Sequence, residues 1–188
     1  MKATEILIQE HTVIMPVLSA MERTIVSIPG GKVHPGFFLE VTDFLKNFVD
    51  GCHHSKEEGI LFKAMEASGV PVQGRLLGVM LAEHEKGRAY VRAMRAAAEK
   101  WQAGDSTAVQ ELIANARGYM VLLRMHIYKE NTLLFPLANR AIPSERQPEV
   151  EQAFERMERE KVGEGIHEKY RRLADRLQKE ADQMGQES

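Results

Sequence analysis

The chain has 188 residues, of which 44% are hydrophobic and 28% are charged, and its formal net charge is -2. This length and composition are typical of one globular domain with a sizeable core. The near-neutral balance, with lysines and arginines dispersed among acids, argues against nucleic acid as a partner. No apolar run approaches the length of a membrane span, so we expect no membrane insertion.

The chain contains a single cysteine, Cys52. It therefore has no intrachain disulfide framework and no cysteine-rich zinc or iron-sulfur site, and any metal must be held by histidine and carboxylate side chains. We expect Cys52 to be a packing residue rather than a redox group. Residues 1–5 show no apolar signal-like segment, so we expect a cytoplasmic protein.

Apolar residues recur at helical spacing between clusters of helix-breaking residues, and no segment alternates as a strand would. The pattern predicts five helices, at about 3–27, 35–67, 72–102, 106–141 and 147–184. The connections are short, so neighbouring helices should run antiparallel. We predict an all-α fold, with an antiparallel up-down four-helix bundle over residues 1–142. Residues 143–188 should form an additional C-terminal helix packed on the bundle within the same domain.

Each of the first four predicted helices places one histidine where an apolar side chain belongs on its inward stripe. These histidines are His11, His53, His84 and His126. Two of the helices add a glutamate one turn later, Glu57 and Glu130, and residues four apart on a helix point the same way. His54 and Glu58 continue a polar row instead. We expect them as supporting or surface groups and not as primary ligands.

The two pairs of histidine and glutamate belong to an internal repeat. Residues 53–62 and 126–135 share the pattern His-x-x-Lys-Glu-x-x-Ile/Leu-Leu-Phe. The repeat aligns Glu57 with Glu130, and the apolar stripe selects the same two glutamates. Two independent patterns therefore choose the same pairs.

A lone histidine on an apolar face is more often a hydrogen-bonded core residue than a ligand. Four imidazoles and two carboxylates buried together, however, would carry a large desolvation cost without a compensating cation. No lysine or arginine lies on the inward stripes. Two metal ions that share the glutamates would supply the charge and leave positions for a substrate, whereas six ligands would fill one octahedral ion. Iron is favoured by this donor set, with manganese and zinc still open.

These residues resemble the hemerythrin-like, or HHE cation-binding, family over roughly the first 140 residues. The resemblance implies that His11, His84 and the two His-x-x-x-Glu pairs ligate a non-haem di-iron centre, carboxylate-bridged and oxo- or hydroxo-bridged. Oxygen-carrying hemerythrin has two histidines on its third helix and an aspartate on its fourth. Here Arg88 lies one turn after His84, and the last carboxylate is Glu130. The set is more similar to the branch that includes di-iron proteins for iron-sulfur repair and nitric oxide responses.

The fifth predicted helix contains Gly163 and Gly165, which weaken a helix by about 1 kcal/mol each relative to alanine. A kink there would let Glu164 or His167 approach the metal site, so His167 is a candidate additional ligand. The alternative is a solvated, charge-rich helix packed through its apolar residues.

The sequence thus predicts a protein with two non-haem iron ions that binds or reacts with a small oxidant or diatomic, namely oxygen, nitric oxide or peroxide. Sensing, detoxification and iron-centre repair are the roles considered. The alternative is a metal-stabilised helical interaction module without turnover, and a metal-free bundle ranks last. The sequence identifies no protein partner and leaves open whether the protein is an enzyme.

Overall fold

Helices make up almost all of the described chain. The computed structural model describes residues 2–72, 75–162 and 165–186, and no strand occurs within those ranges. The all-α prediction is therefore confirmed. The α-helices are α1 (Ala3–Ser27), α2 (Pro35–Phe44), α3 (Phe62–Ala67), α4 (Leu76–Gln102), α5 (Ala108–Lys129), α6 (Phe135–Ala141), α7 (Gln147–Met157) and α8 (Ile166–Gln186). Short 3-10 helices lie at Ile28–Gly30 and Ser144–Arg146.

Four further segments are π-helical, with each backbone N–H donating to the carbonyl five residues earlier. They are π1 (Leu45–His54), π2 (Glu57–Leu61), π3 (Glu130–Leu134) and π4 (Glu158–Val162). Helix α2 continues through π1 and π2 into α3, and α5 continues through π3 into α6. The helices predicted at 35–67 and 106–141 are thus long helical runs. A π turn holds more residues than an α turn, so side chains around these segments depart from α spacing.

The helix predicted at 147–184 is not a single element. Helix α7 passes into π4, and α8 begins separately at Ile166. Gly165, immediately before α8, has a φ of 81°, in the left-handed region that favours glycine. Gly163 and Glu164 lie outside the described residues. The interruption before α8 falls at the glycines that the sequence analysis identified as weakening this helix.

A polar layer separates two apolar clusters. Helix α4 packs along α5 and α2, while α1 packs along α8 and α5. The larger cluster includes Ile14, Val49, Met94 and Leu123, and the smaller includes Leu7, Leu61, Met80 and Leu134. Along each of the four helical runs, a predicted histidine ligand lies in the sequence between one residue of the larger cluster and one residue of the smaller cluster. In α1, for example, His11 lies between Leu7 and Ile14. The fold therefore places all four histidines at one level.

Helix α1 and the turn after it also resemble a membrane span. By length and composition alone, Ala3–Gly30 could cross a bilayer, which the sequence analysis did not anticipate. The segment lies near the N-terminus, and 39% of its apolar window is buried inside the protein. Core helices pass the same test, and the buried face of α1 carries Leu7, His11 and Ile14. This face already has packing partners within the fold.

Replacing Gly165 with alanine should lower the free energy of unfolding by about 1 kcal/mol, because an L side chain is disfavoured at positive φ. Urea unfolding measures the effect. Gly30→Ala is the matched control, since Gly30 lacks a positive φ and an added Cβ would meet nothing within 4 Å. Equal stabilities for the two variants would contradict the assigned turn before α8.

Candidate metal centre

Four histidines from four helical runs meet in the polar layer as two close pairs. In the first pair, His11 Nε2 lies 3.1 Å from His53 Nε2. In the second pair, His84 Nε2 lies 3.0 Å from His126 Nε2. All four residues are buried. Two ring nitrogens at this spacing can serve as neighbouring ligands of one cation.

The two predicted glutamates lie between the pairs. Glu57 Oε1 is 3.7 Å from a ring nitrogen of the first pair, and its Oε2 is 3.4 Å from a ring nitrogen of the second. Glu130 Oε2 is 3.1 Å from the first pair, and its Oε1 is 2.7 Å from the second. Each carboxylate therefore presents one oxygen to each pair, which is the disposition of a bridging carboxylate. The structure brings together all six residues that the sequence selected.

The two carboxylates are fully buried, with 0% exposure each. Ring nitrogens approach their four oxygens, but none of these oxygens accepts a hydrogen bond within the described chain. Burial raises the pKa of Glu57, and the nearby charge of Glu130 raises it further. Two fully buried carboxylates whose contacts in the described chain are with imidazole nitrogens carry a desolvation cost that a metal cation can offset. The donor set, four imidazoles and two carboxylates, fits iron or a similar transition metal.

Each histidine ring of the two pairs is held from its outer nitrogen. The Nδ1 contacts are His11 with Asn131 at 3.1 Å, His53 with Glu10 at 2.9 Å, His84 with Glu58 at 2.6 Å and His126 with Glu83 at 2.8 Å. These contacts orient the rings and leave every Nε2 facing inward, as outer partners of metal-bound histidines do. Glu130 and Glu83 raise the pKa of His126 to about 10, although burial opposes its protonation.

The two halves of the chain build matching halves of the site. In each half, the first histidine precedes the second by 42 residues, and a glutamate directly precedes the first histidine. That glutamate binds the second histidine and a lysine of the same half, giving the ion pairs Glu10 with Lys56 and Glu83 with Lys129. Segments π2 and π3 start at the two bridging glutamates. The match extends well beyond the repeat read from the sequence.

The sequence analysis did not identify Glu10 and Glu83, the outer glutamates, which contact the Nδ1 atoms of His53 and His126. It also placed no lysine in the core. Lys56 is fully buried and ion-paired with Glu10 and Glu158, so the expectation that no lysine enters the core is wrong. Burial opposes ionisation of Glu10, but hydrogen bonds from His167 and His53 and the charge of Lys56 hold its pKa well below the usual range. Lys56 compensates Glu10, whereas the ion-pair contacts of Glu57 and Glu130 in the described residues are with histidines. The repeated Glu-His dipeptide was the available signal for both outer glutamates.

His167 contacts Glu10, the outer glutamate that holds the ring of His53. Its Nε2 lies 3.0 Å from Glu10 Oε1, and its ring packs 4.9 Å from Phe48. With Glu10 and Glu158 it forms a potential ligand group separate from those of the two pairs. His167 thus contacts the residue that holds His53, rather than the bridging carboxylates. Its assignment as an additional ligand stays a prediction.

His54 does not lie on a polar face, so that expectation is wrong. It is 4% exposed, and its Nε2 is buried without a hydrogen-bond partner. Because π1 departs from α spacing, both His53 and His54 turn inward. Burial holds the pKa of His54 well below its usual range, and the neighbouring His84 adds to this effect. Glu58, as expected, has a supporting role, since it accepts hydrogen bonds from His84 and Arg88.

Comparison with known proteins identifies a family and several relatives of this chain. The family model of the hemerythrin HHE cation-binding domain matches residues 2–138. Uncharacterized proteins of Mycobacterium bovis and of two strains of Mycobacterium tuberculosis are each 24% identical over 163 residues, covering 86% of this chain. The chain spans about 63% of the length of these curated relatives. No solved structure matches the chain.

The Cys52 thiol should be nearly inert in the folded protein. It is 1% exposed, and burial raises its pKa to about 11, so the reactive thiolate is scarce at neutral pH. We expect slow reaction with a disulfide reagent until the protein is unfolded. A Val26→Cys variant provides the control, because Val26 is 74% exposed and a thiol there should react promptly. Prompt reaction of Cys52 in the native protein would contradict its packing role.

The two lysines of the repeat should differ in their contribution to stability. Lys56→Met should cost about 3 to 5 kcal/mol, because it removes the buried ammonium group that compensates the buried Glu10 charge. Lys129→Met is the matched comparison in the other half. The side chains of Lys129 and Glu83 are each about one-fifth exposed, so water replaces part of the lost contact and the cost should be smaller. Chemical denaturation of both metal-free variants measures the difference, and equal costs would contradict it.

Proposed function

The chain belongs to the hemerythrin HHE cation-binding family, and we propose that its buried centre holds two iron ions. His11 and His53 would ligate one ion, His84 and His126 the other, and Glu57 and Glu130 would bridge them. One observation carries the proposal: each buried carboxylate presents its two oxygens to different histidine pairs and accepts no hydrogen bond.

We propose that the function is binding of, or reaction with, a small oxidant or diatomic in sensing, detoxification or iron-centre repair. Iron would supply redox-active, exchangeable coordination positions for oxygen, nitric oxide or peroxide. The outer contacts at each Nδ1 keep the ligating nitrogens turned inward. Phe135 stacks on His11 and Phe62 on His84, with ring centroids 5.7 and 6.0 Å apart. These rings and the two apolar clusters limit access of bulk water to the polar layer.

We further propose an antiparallel up-down four-helix bundle over residues 1–142, with residues 143–188 packed on it in the same domain. The packing of α8 along α1 and the hydrogen bond of His167 to Glu10 support this division. We also propose a cytoplasmic location without nucleic acid or membrane partners. The near-neutral charge with dispersed lysines and arginines supports the absence of a nucleic-acid partner, and the packing of α1 within the fold supports the absence of a membrane partner.

The test of function is iron quantitation combined with anaerobic spectroscopy. The reconstituted protein should bind about two iron ions per chain and develop oxo-bridged absorption in air. Adding oxygen, nitric oxide or peroxide in turn to the reduced protein separates a carrier from a scavenger. Fewer than about one iron per chain, with no such absorption, would overturn the proposal. A loaded centre that reacts with none of the three would favour the interaction module without turnover.

Glu130→Gln should reduce iron binding at least about 10-fold, because a neutral amide is a poor bridging ligand. The measurements are iron content and the metal-induced rise in melting temperature. Glu66→Gln is the control, since Glu66 is an exposed glutamate of α3 and should bind iron as the parent protein does. Full iron loading of Glu130→Gln would show that Glu130 does not bridge.

A further inference from the structure

A cavity of about 260 Å³ is enclosed by residues of π1, α4 and α5. Its polar walls include Asp50, His54 and Tyr119, and none of the six predicted metal ligands is among its described lining residues. The His54 ring forms the part of the wall next to the candidate centre, since it stacks on His84 with ring centroids 3.8 Å apart. The cavity is therefore a space separate from the buried centre, and its volume suits a small organic molecule.

The other half of the chain fills the matching space with apolar side chains. At the offset that relates the two halves, three wall residues align with buried members of the larger cluster: Gly87 with Ile14, Asp50 with Leu123, and His54 with Ile127. A Cβ added at Gly87 would lie 3.6 Å from the Tyr119 ring, so the glycine leaves space where the other half has an isoleucine. The cavity is thus specific to one half and does not follow from the shared scaffold.

The cavity wall contains a buried hydroxyl group that lacks a partner. Tyr119 is 2% exposed, and its hydroxyl makes no hydrogen bond within the described chain. Burial raises the pKa of Tyr119, and the charge of Asp50 raises it further, so the hydroxyl stays protonated and can donate. The hydroxyl of Thr42, by contrast, already donates to the backbone carbonyl of Leu39 at 2.9 Å. Buried tyrosine hydroxyls normally have a partner, and a bound molecule can supply one here.

The exposed rim of the cavity is cationic. Lys46, Arg92 and Arg95 are its exposed lining residues, whereas Asp50 is the one carboxylate among the described lining residues. Arg88 neutralises this carboxylate, since its Nε donates to Asp50 Oδ1 at 2.8 Å. Lys46 and Arg92 have no ion-pair partner within the described ranges of the chain. The rim therefore carries positive charge that is available to an external anion.

We propose that this cavity binds a small organic anion. Its carboxylate would contact the cationic rim, and a hydrogen-bonding group at its other end would contact Tyr119. The side chains of Leu45 and Val91 suit a compact apolar or aromatic body between the two ends. The volume limits the ligand to roughly ten non-hydrogen atoms. The inference does not depend on the proposed metal centre, because every residue that carries it lies outside the six predicted ligands.

The chemical probe is 4-hydroxybenzoate, which has a carboxylate and a hydroxyl at opposite ends of one ring. Calorimetry of the purified protein should show saturable one-to-one binding, with a dissociation constant of about 1 mM or lower. Arg92→Met should weaken this binding at least about 5-fold, because a charge-assisted hydrogen bond is lost. Arg140→Met is the matched control and should bind as the parent does, since Arg140 is an exposed arginine of α6 outside the cavity lining.

Two further variants test the interior of the cavity. Tyr119→Phe should weaken 4-hydroxybenzoate at least about 5-fold but benzoate less than about 2-fold, because benzoate has no group to pair with the Tyr119 hydroxyl. Gly87→Ile introduces the residue of the matching position and should abolish binding of both anions by filling the space. Melting temperatures show whether each variant is folded. If Gly87→Ile does not fold, the exposed substitution Arg92→Met still decides the test.

Three results would overturn the inference. The first is the absence of saturable binding of both anions to the parent protein. The second is binding that none of the three cavity variants changes, because the anion would then lie elsewhere on the protein. The third is equally tight binding of the uncharged 4-hydroxybenzyl alcohol, which would assign the cavity to neutral molecules. Anion binding is measured independently of iron content, so failure of this inference leaves the proposed metal centre standing.

Discussion

Two buried carboxylates that accept no hydrogen bond are the constraint on which the rest of this structure depends. Glu57 and Glu130 lie at the same level of the fold, with the ring nitrogens of four histidines around them. Burying such groups without a cation costs several kcal/mol per charge. The apolar clusters on both sides provide the burial, and the outer carboxylates orient the rings. The fold thus assembles a set of donors whose charge calls for bound metal.

Each half of the chain contributes one of these buried carboxylates, but the residues around the two histidine pairs differ. The first pair is connected through Glu10 to Lys56, to Glu158 and to His167 at the start of α8. In the second half, the equivalent Glu83 binds Lys129 and is partly exposed. Beside the second pair, the His54 ring stacks on His84, and its Nδ1 lies 3.4 Å from Asp50 Oδ1. A nearly symmetric scaffold therefore surrounds the two histidine pairs with unlike environments.

The sequence predicted the helical runs and the meeting of six residues because both depend on α spacing. Leu7, His11 and Ile14 follow that spacing, and all three are buried. The prediction failed where the backbone departs from it. Segment π1 turns His54 inward, and Lys56 in the next turn is buried against Glu10. By contrast, Gly165, with its positive φ directly before α8, lies where the sequence had already indicated a weakened helix.

The sequence analysis did not identify the outer glutamates, Glu10 and Glu83, for a different reason. Glu10 and Glu83 each precede an inward histidine, so on an α-helix they point toward a neighbouring helix rather than the same ion. Each one binds the histidine of the other helix in its half, at 2.9 and 2.8 Å. Such a contact cannot be read from one helix alone. Only the recurrence of the Glu-His dipeptide at the offset of the larger repeat connects the two.

The π segments at the bridging glutamates show how strongly the site governs the backbone. Segments π2 and π3 begin at Glu57 and Glu130 and have the sequences EEGIL and ENTLL. The second and third residues differ in charge, size and helix propensity, so local preference does not account for a shared departure from the α-helix. What the segments share is a buried glutamate that must reach both histidine pairs. A π turn changes the position of the side chain relative to the preceding histidine, and π segments recur at functional sites. The wider turns are therefore best explained as part of the geometry that sets each carboxylate between the two histidine pairs.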